Sequence, residues 1–273
     1  MSKGKARVDY LGSAGLVQSD TAPGWDFLYK ASTVKDSKWN IGDRVVLPDG
    51  RVFRYGKCGA ALTSMKRGVK NYNLLVTELD AIAGAASIGA KSIEITFADT
   101  DGVLNGGVIA EDSLRGGYIS IYASAADRPQ RGIIGNDARA NGDTGTTTVY
   151  LDATLNVAVT AGSNCEILAN PYSDLRELND THTSVMGMPL VDAAVNEYFW
   201  IQTWGPCRIT PTGAELGASA DTRMFVFEAY GGVQSVDASD ALDRSEQIAG
   251  FVIERTDGAA GSAAPFINLQ INP

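Results

Sequence analysis

The chain contains one histidine, His182, with Asp180 and Ser184 beside it, the residue types of a general base and its partners. A catalytic triad needs its groups to converge in space, and neighbours along a loop seldom face one another. The spacing therefore favours a turn over an active centre. Carboxylates are plentiful: Asp99, Asp101, Glu111 and Asp112, and later Asp237, Asp240, Asp243 and Glu246, flank strand-like segments where calcium ligands could sit. Neither group fits the twelve-residue loop with its terminal Glu. No carboxylate pair stands out for glycoside hydrolysis. Gly102, Gly106 and Gly107 are not part of a phosphate loop, because no GxxxxGK[ST] run follows a strand. The three cysteines, Cys58, Cys165 and Cys207, are far apart and form no CxxC or Cys/His pattern. Buried free thiols in a reducing compartment are expected, rather than a disulfide or a zinc site. The expectation is a chain without catalytic residues, cofactor or metal.

The elements that would position any such groups read as β throughout. Ile93 to Phe97 alternates apolar and polar residues, and similar short runs follow at 107–109, 118–122, 132–134, 147–151 and 165–168. Runs of this length at intervals of ~10–15 residues, separated by Gly, Asn and Asp, indicate a sandwich or barrel. A second cluster follows at 197–204, 208–210, 223–228, 250–254 and 266–271, with polar loops at 212–222 and 256–264. Tyr198, Trp200 and Trp204 alternate and so share one strand face, as core or as an oligomer interface, with stacking on sugar the lesser alternative. Asp49-Gly50 marks a hairpin turn between 44–47 and 51–55, with Pro48 just outside its central pair. Residues 70–86 fit a short helix and a strand-and-turn link equally, and 235–248 has room for one helical turn.

Charge is distributed unevenly. Residues 1–70 hold 13 Lys+Arg against 6 Asp+Glu, and the rest hold 10 against 26, within a net charge of −9. That balance argues against a general nucleic-acid binder. It suggests a basic front that docks on something acidic, although the arginines of the hairpin, taken singly, also suit a solvated strand face. Residues 1–40 are broken by Gly12, Gly15, Pro23 and Gly24 yet carry Tyr10, Leu11, Trp25, Phe27 and Tyr29. Ordering such a segment costs ~1 kcal/mol or more per residue. Docked aromatics or added strand hydrogen bonds must offset it, so an extended arm across a partner or the chain's own body is expected. The start, MSKGKARVDY, is basic with no apolar stretch behind it and does not read as a signal peptide. No run approaches the ~18 apolar residues of a membrane span.

Three stretches, IGDRVVLPDGRVFRYGKCG at 41–59, the segment 116–171 with GGYISIY, RGIIGND, TTTVYLDATLNVAV and SNCEILANPY, and YFWIQTWGP at 198–206, resemble virion structural proteins of tailed bacteriophages. The auxiliary proteins that decorate or cement the head, sometimes as head fibres, are the ones meant. The resemblance implies a β-rich protein, often a homotrimer, bound to the major capsid protein on the capsid surface of the virion and assembled in the host cytoplasm. Residues 38–57 also resemble small chitin-binding modules, which pair an aromatic with a short hairpin. That makes Trp39 the better glycan candidate.

Together these observations predict an all-β protein of β-sandwich or barrel-like domains. The expected divisions are an extended N-terminal arm at 1–40, a β-hairpin region and linker at 41–75, and β domains at 76–180 and 181–273. Arg7, Trp25, Tyr29, Arg44, Arg51 and Arg54 are the expected capsid contacts. The expected partners are the major capsid protein and further copies of the chain, with a glycan under the alternative reading, and no nucleic acid and no membrane. A carbohydrate-binding head fibre or tail component is the first alternative, and a virion-associated polysaccharide depolymerase the second.

Overall fold

Most of the alternating segments become strands. The computed structural model describes residues 7–10, 13–15, 25–65, 67–71, 75–97, 108–124, 127–139, 146–177, 184–209, 223–228, 231–236, 246–254 and 266–273, with backbone alone in 7–15 and in parts of 75–80. The strands, in chain order, begin with β1 (Arg7–Tyr10), β2 (Ser13–Gly15), β3 (Arg44–Val46), β4 (Val52–Lys57) and β5 (Val69–Asn71). Next come β6 (Leu75–Ile82), β7 (Ser92–Thr96), β8 (Tyr118–Tyr122), β9 (Gln130–Asn136), β10 (Thr146–Leu151) and β11 (Asn164–Leu168). The remainder are β12 (Leu175–Glu177), β13 (Met188–Pro189), β14 (Tyr198–Arg208), β15 (Met224–Phe227), β16 (Val233–Ser235), β17 (Gln247–Glu254) and β18 (Phe266–Gln270). A short 3-10 helix, Trp25–Tyr29, is the one helical element among the described residues. The protein is all-β, and the pairings between its strands are antiparallel.

The chain divides into two compact units, residues 1–72 with 172–273, and residues 73–171. The sequence placed a linker at 41–75 and separate β domains at 76–180 and 181–273. Instead, strands on either side of the insertion share one sheet, in the order β16-β15-β17-β18-β14-β4-β3-β1-β2, with β13 also on β14. The join is the pairing of β4 with β14, Lys57 opposite Tyr198 and Phe53 opposite Gln202. Where the chain leaves and re-enters this unit, β5 pairs with β12, Asn71 opposite Leu175 and Val69 opposite Glu177.

The inserted unit is a closed barrel in the order β10-β7-β6-β11-β8-β9. Alternation decides which residues point inward. Ile93 and Ile95 of β7, Ile119 and Ile121 of β8, Val149 and Leu151 of β10, and Cys165 and Ile167 of β11 form one buried cluster. Closing the sheet leaves no unpaired edge, and a small barrel is filled by its own side chains. Residues 70–86, which fitted helix and strand equally, contribute β5 and β6. Pairing of β6 with β11 and β7 supplies what local spacing could not.

The hairpin at 47–51 forms with its turn one residue earlier than expected. The Gly50 N–H donates to the Leu47 carbonyl at 3.0 Å, and the Leu47 N–H to the Arg51 carbonyl at 2.8 Å. Pro48 and Asp49 are therefore the central pair, Pro with its φ already set, and Gly50 follows at φ +87°, the left-handed residue of a bulged hairpin.

Residues 25–40 also differ from expectation. They are not an extended arm. Leu28 is fully buried and Trp39 is 9% exposed, and both belong to a cluster with Val45, Leu47, Phe53, Tyr55 and Trp200. Among the described residues of the expected arm, β1 and β2, lying beside β3, have the strand-adding character that the sequence suggests, and residues 1–6, 11, 12 and 16–24 lie outside the described residues.

Candidate interaction surfaces

Arg51, just before β4, and Arg54 within it are both given internal work by the fold. The Arg51 guanidinium bonds Asp49 through Nε at 2.7 Å and donates to the Tyr29 hydroxyl at 2.8 Å. Its carbon lies 5.8 Å from the Phe53 ring centre. Arg54 donates to the Gly42 carbonyl at 3.1 Å and to the Asn272 side chain at 3.3 Å, and lies over Tyr172. Arg44, paired across the strands with Arg54, is half-buried, and its Nε has no hydrogen-bond partner. Beside it the Asp43 carboxyl is buried, which raises its pKa above the ordinary carboxylate value despite the Asn40 N–H bonded to it at 2.7 Å and the nearby Lys35 and Arg54 charges.

The remaining expected contacts are placed as follows. Arg7 lies in β1 opposite Val46, with its side chain outside the described residues. Trp25 is half-buried against the aromatic cluster, and Tyr29 is 43% exposed. The fold brings Tyr29, Arg51 and Asp49 into one bonded group but puts Trp25 and Arg54 to structural use.

Tyr198, Trp200 and Trp204 separate. Trp200 is buried, with its ring centre 4.9 Å from that of Trp39 and edge-on to it. Tyr198 is half-buried and stacks on Tyr55 at 6.1 Å. Trp204 lies beyond a register shift in β14 and is half-buried. The buried Gln202 side chain sits inside that irregularity and donates to the carbonyls of Trp204, Gly205 and Pro206 at 2.9–3.2 Å. Trp39, expected to be available to sugar, stacks on Phe27 at 5.9 Å inside the core.

Among the described residues the chemistry-bearing side chains do not converge on one centre. Asp180, His182, Asp99, Asp101, Gly102, Gly106, Gly107, Asp237, Asp240 and Asp243 lie outside the described residues, and Ser184 is exposed. Glu111 and Asp112 belong to the 111–116 turn, where Asp112 has φ +59° and pairs with Arg115 at 3.2 Å. Buried Asn136 holds that turn by accepting from the Leu114 N–H at 2.8 Å and donating to the Ala110 carbonyl at 2.9 Å. Glu246 accepts from Gln234 at 3.0 Å. Among the described residues no group of three His, Cys, Asp or Glu is placed to hold a metal ion, and no helix is long and apolar enough to cross a membrane.

All three cysteines are buried, and none is in a disulfide. Burial raises the Cys58 thiol to about 11, against a smaller lowering by the Ala60 backbone. Burial likewise pushes Cys207 up to about 12. Thiols held protonated in this way are poor nucleophiles at neutral pH.

What the sequence missed are large apolar side chains held outward on strands. In the larger unit these are Met224, Ile248, Phe251, Ile253 and Phe266, each 43–49% exposed. In the barrel, Tyr118 is 56% exposed and Tyr150 40%. The run Phe251-Val252-Ile253 is apolar without alternation, and a bulge between Val252 and Glu254 decides which residues face out. No protein-family model, no curated protein and no solved structure matches this chain.

Proposed function

We propose that this chain is a non-catalytic structural protein that binds a larger protein shell, as a decoration or cement protein on the capsid of a tailed-phage virion. The observation that carries the reading is the position of the N-terminal strands. Among the described residues, β2 is the last strand of the sheet, and β1 and β3 follow it. An outermost strand presents unpaired backbone groups, which a strand of a shell subunit can extend. This edge is built from the basic first 70 residues, so charge would steer it toward an acidic shell surface. Tyr29, 43% exposed and bonded through its hydroxyl to Arg51, offers a further aromatic contact. Many such contacts across a shell add avidity to weak single interfaces.

The test is cosedimentation with DNA-filled and expanded empty phage heads. Full-length protein should bind saturably, and a variant lacking residues 1–24 should lose binding while its body stays folded. Unchanged binding by the truncated variant would remove the edge from the mechanism, and no binding by either would remove the shell.

A second reading, glycan binding by a head fibre or tail component, is favoured by Tyr118. Its ring stands outward opposite Gly132, which adds no side chain of its own. Tyr118→Ala would abolish signal on a glycan array under that reading and leave shell binding intact.

A further inference from the structure

The outer face around β18 has a charge and shape pattern that is complementary to its own image. In one row across three strands, Phe266 of β18 has Glu254 of β17 on one side and Arg208 of β14 on the other. In the next row, Asn268 has Phe251 on one side and Pro206 on the other. Glu254, Phe266, Arg208, Phe251 and Pro206 are all exposed, and Asn268 is half-buried. The opposite face of the same strands is core, with Ile267, Leu269, Cys207 and Ala249 buried. Ile253, in the β17 bulge, and Met224, opposite Phe251, enlarge the apolar part.

We infer that this face packs against the same face of a second copy of the chain, about a two-fold axis running along β18. Such an axis exchanges the two flanking strands. Glu254 of each copy then meets Arg208 of the other, Phe251 meets Pro206, and Phe266 packs on its own mate. An isologous interface requires this reciprocity, in which a residue and its partner swap roles between subunits. Two sheet faces at the usual ~10 Å separation, aligned within ~30°, allow all these pairs at once. A foreign partner has no reason to match a pattern that is complementary to itself. The three-fold unit implied by the phage resemblance needs a head-to-tail contact between two different patches, whereas this patch completes itself in a pair. Burial of the aromatic and aliphatic side chains holds the pair together, and the rim charges set its register and exclude wrong pairings. The inference does not rest on shell binding, because β18 and the β2 edge are separated by β14, β4, β3 and β1.

The experiment is light scattering of the full-length protein without shells, across a concentration series, with a charge-reversal cycle. Wild type should show twice the 28.8 kDa chain mass. Arg208→Glu and Glu254→Arg should each weaken the pair by at least about tenfold, since each sets like charges opposite one another. The double variant, with the complement restored, should recover to within about threefold of wild type by the logic of a double-mutant cycle. Circular dichroism should show all four proteins equally folded. A wild-type mass of one chain at ~100 µM, weaker than specific pairs of this kind, would overturn the inference. So would a mass of three chains, or a double variant no tighter than the singles.

Discussion

Replacing Trp39 by Ala separates a core residue from a ligand-binding one. Trp39 lies edge-on to Trp200 at 4.9 Å, stacks on Phe27 at 5.9 Å and is 9% exposed. A buried indole removes ~150–250 Å² from water, about 4–6 kcal/mol at ~25 cal/mol/Å² as an upper bound. Large-to-small changes of this type cost about 3–5 kcal/mol in practice, so about 4 kcal/mol is expected. All four tryptophans, Trp25, Trp39, Trp200 and Trp204, lie in the larger unit and none in residues 73–171. Tryptophan emission during urea unfolding therefore reports that unit alone, while far-ultraviolet circular dichroism reports both. With a slope of ~2 kcal/mol/M, the emission midpoint should fall by about 2 M, and the barrel's part of the dichroism transition should not move. A midpoint shift below ~0.5 M would refute the packing argument. Loss of glycan binding at unchanged stability would do the same and restore Trp39 as a surface ring.

Three further outcomes follow from the same structure. Deleting residues 1–24 should leave a cooperatively folding body, whereas deleting 1–40 also removes buried Leu28 and Trp39 and should red-shift tryptophan emission and abolish the transition, since those losses of ~2–5 kcal/mol each approach a typical total stability. Residues 73–171 expressed alone should unfold cooperatively in near-ultraviolet dichroism, because the barrel closes on its own core; a gradual, transition-free melt would contradict an independent unit. Cys58 and Cys207 have folded pKa values raised above the ordinary 9.0, so their contribution to stability is complete below pH 9 and is lost as the pH rises through about 11 to 12. The melting temperature should fall across that window and reductant should not change it at pH 7, and a native protein that reacts quickly with a thiol reagent at pH 8 would contradict the burial.

The strands of the barrel were legible because alternation is a local property. Ile93, Ile95, Ile119 and Ile121 occupy every second position and all point inward. The hairpin at 47–51 was legible for a similar reason, since Pro48, Asp49 and Gly50 have narrow backbone preferences. Its register still differed by one residue, because Gly50 serves as the bulge residue rather than as half of the central pair.

Partnership across the chain was not legible. Arg51 and Arg54 look solvated in one dimension, yet Tyr29, Gly42 and Asn272 supply their acceptors. Trp39 looks like an exposed ring beside a hairpin until β14 brings Trp200 against it. Strand spacing alone leaves the faces of Phe251 and Phe266 open until the bulge in β17 and the pairing with β18 assign them. By itself the sequence determined that this chain is built of strands, where most of them lie, and that its thiols have no pairing pattern. Only the tertiary structure decided that a barrel is inserted into a second unit, which strands are neighbours, and which aromatics are buried. The reason is physical: side-chain periodicity follows from the backbone of a single strand, whereas burial and bonding depend on residues far away in sequence, as Asn272, 218 positions on, is from Arg54.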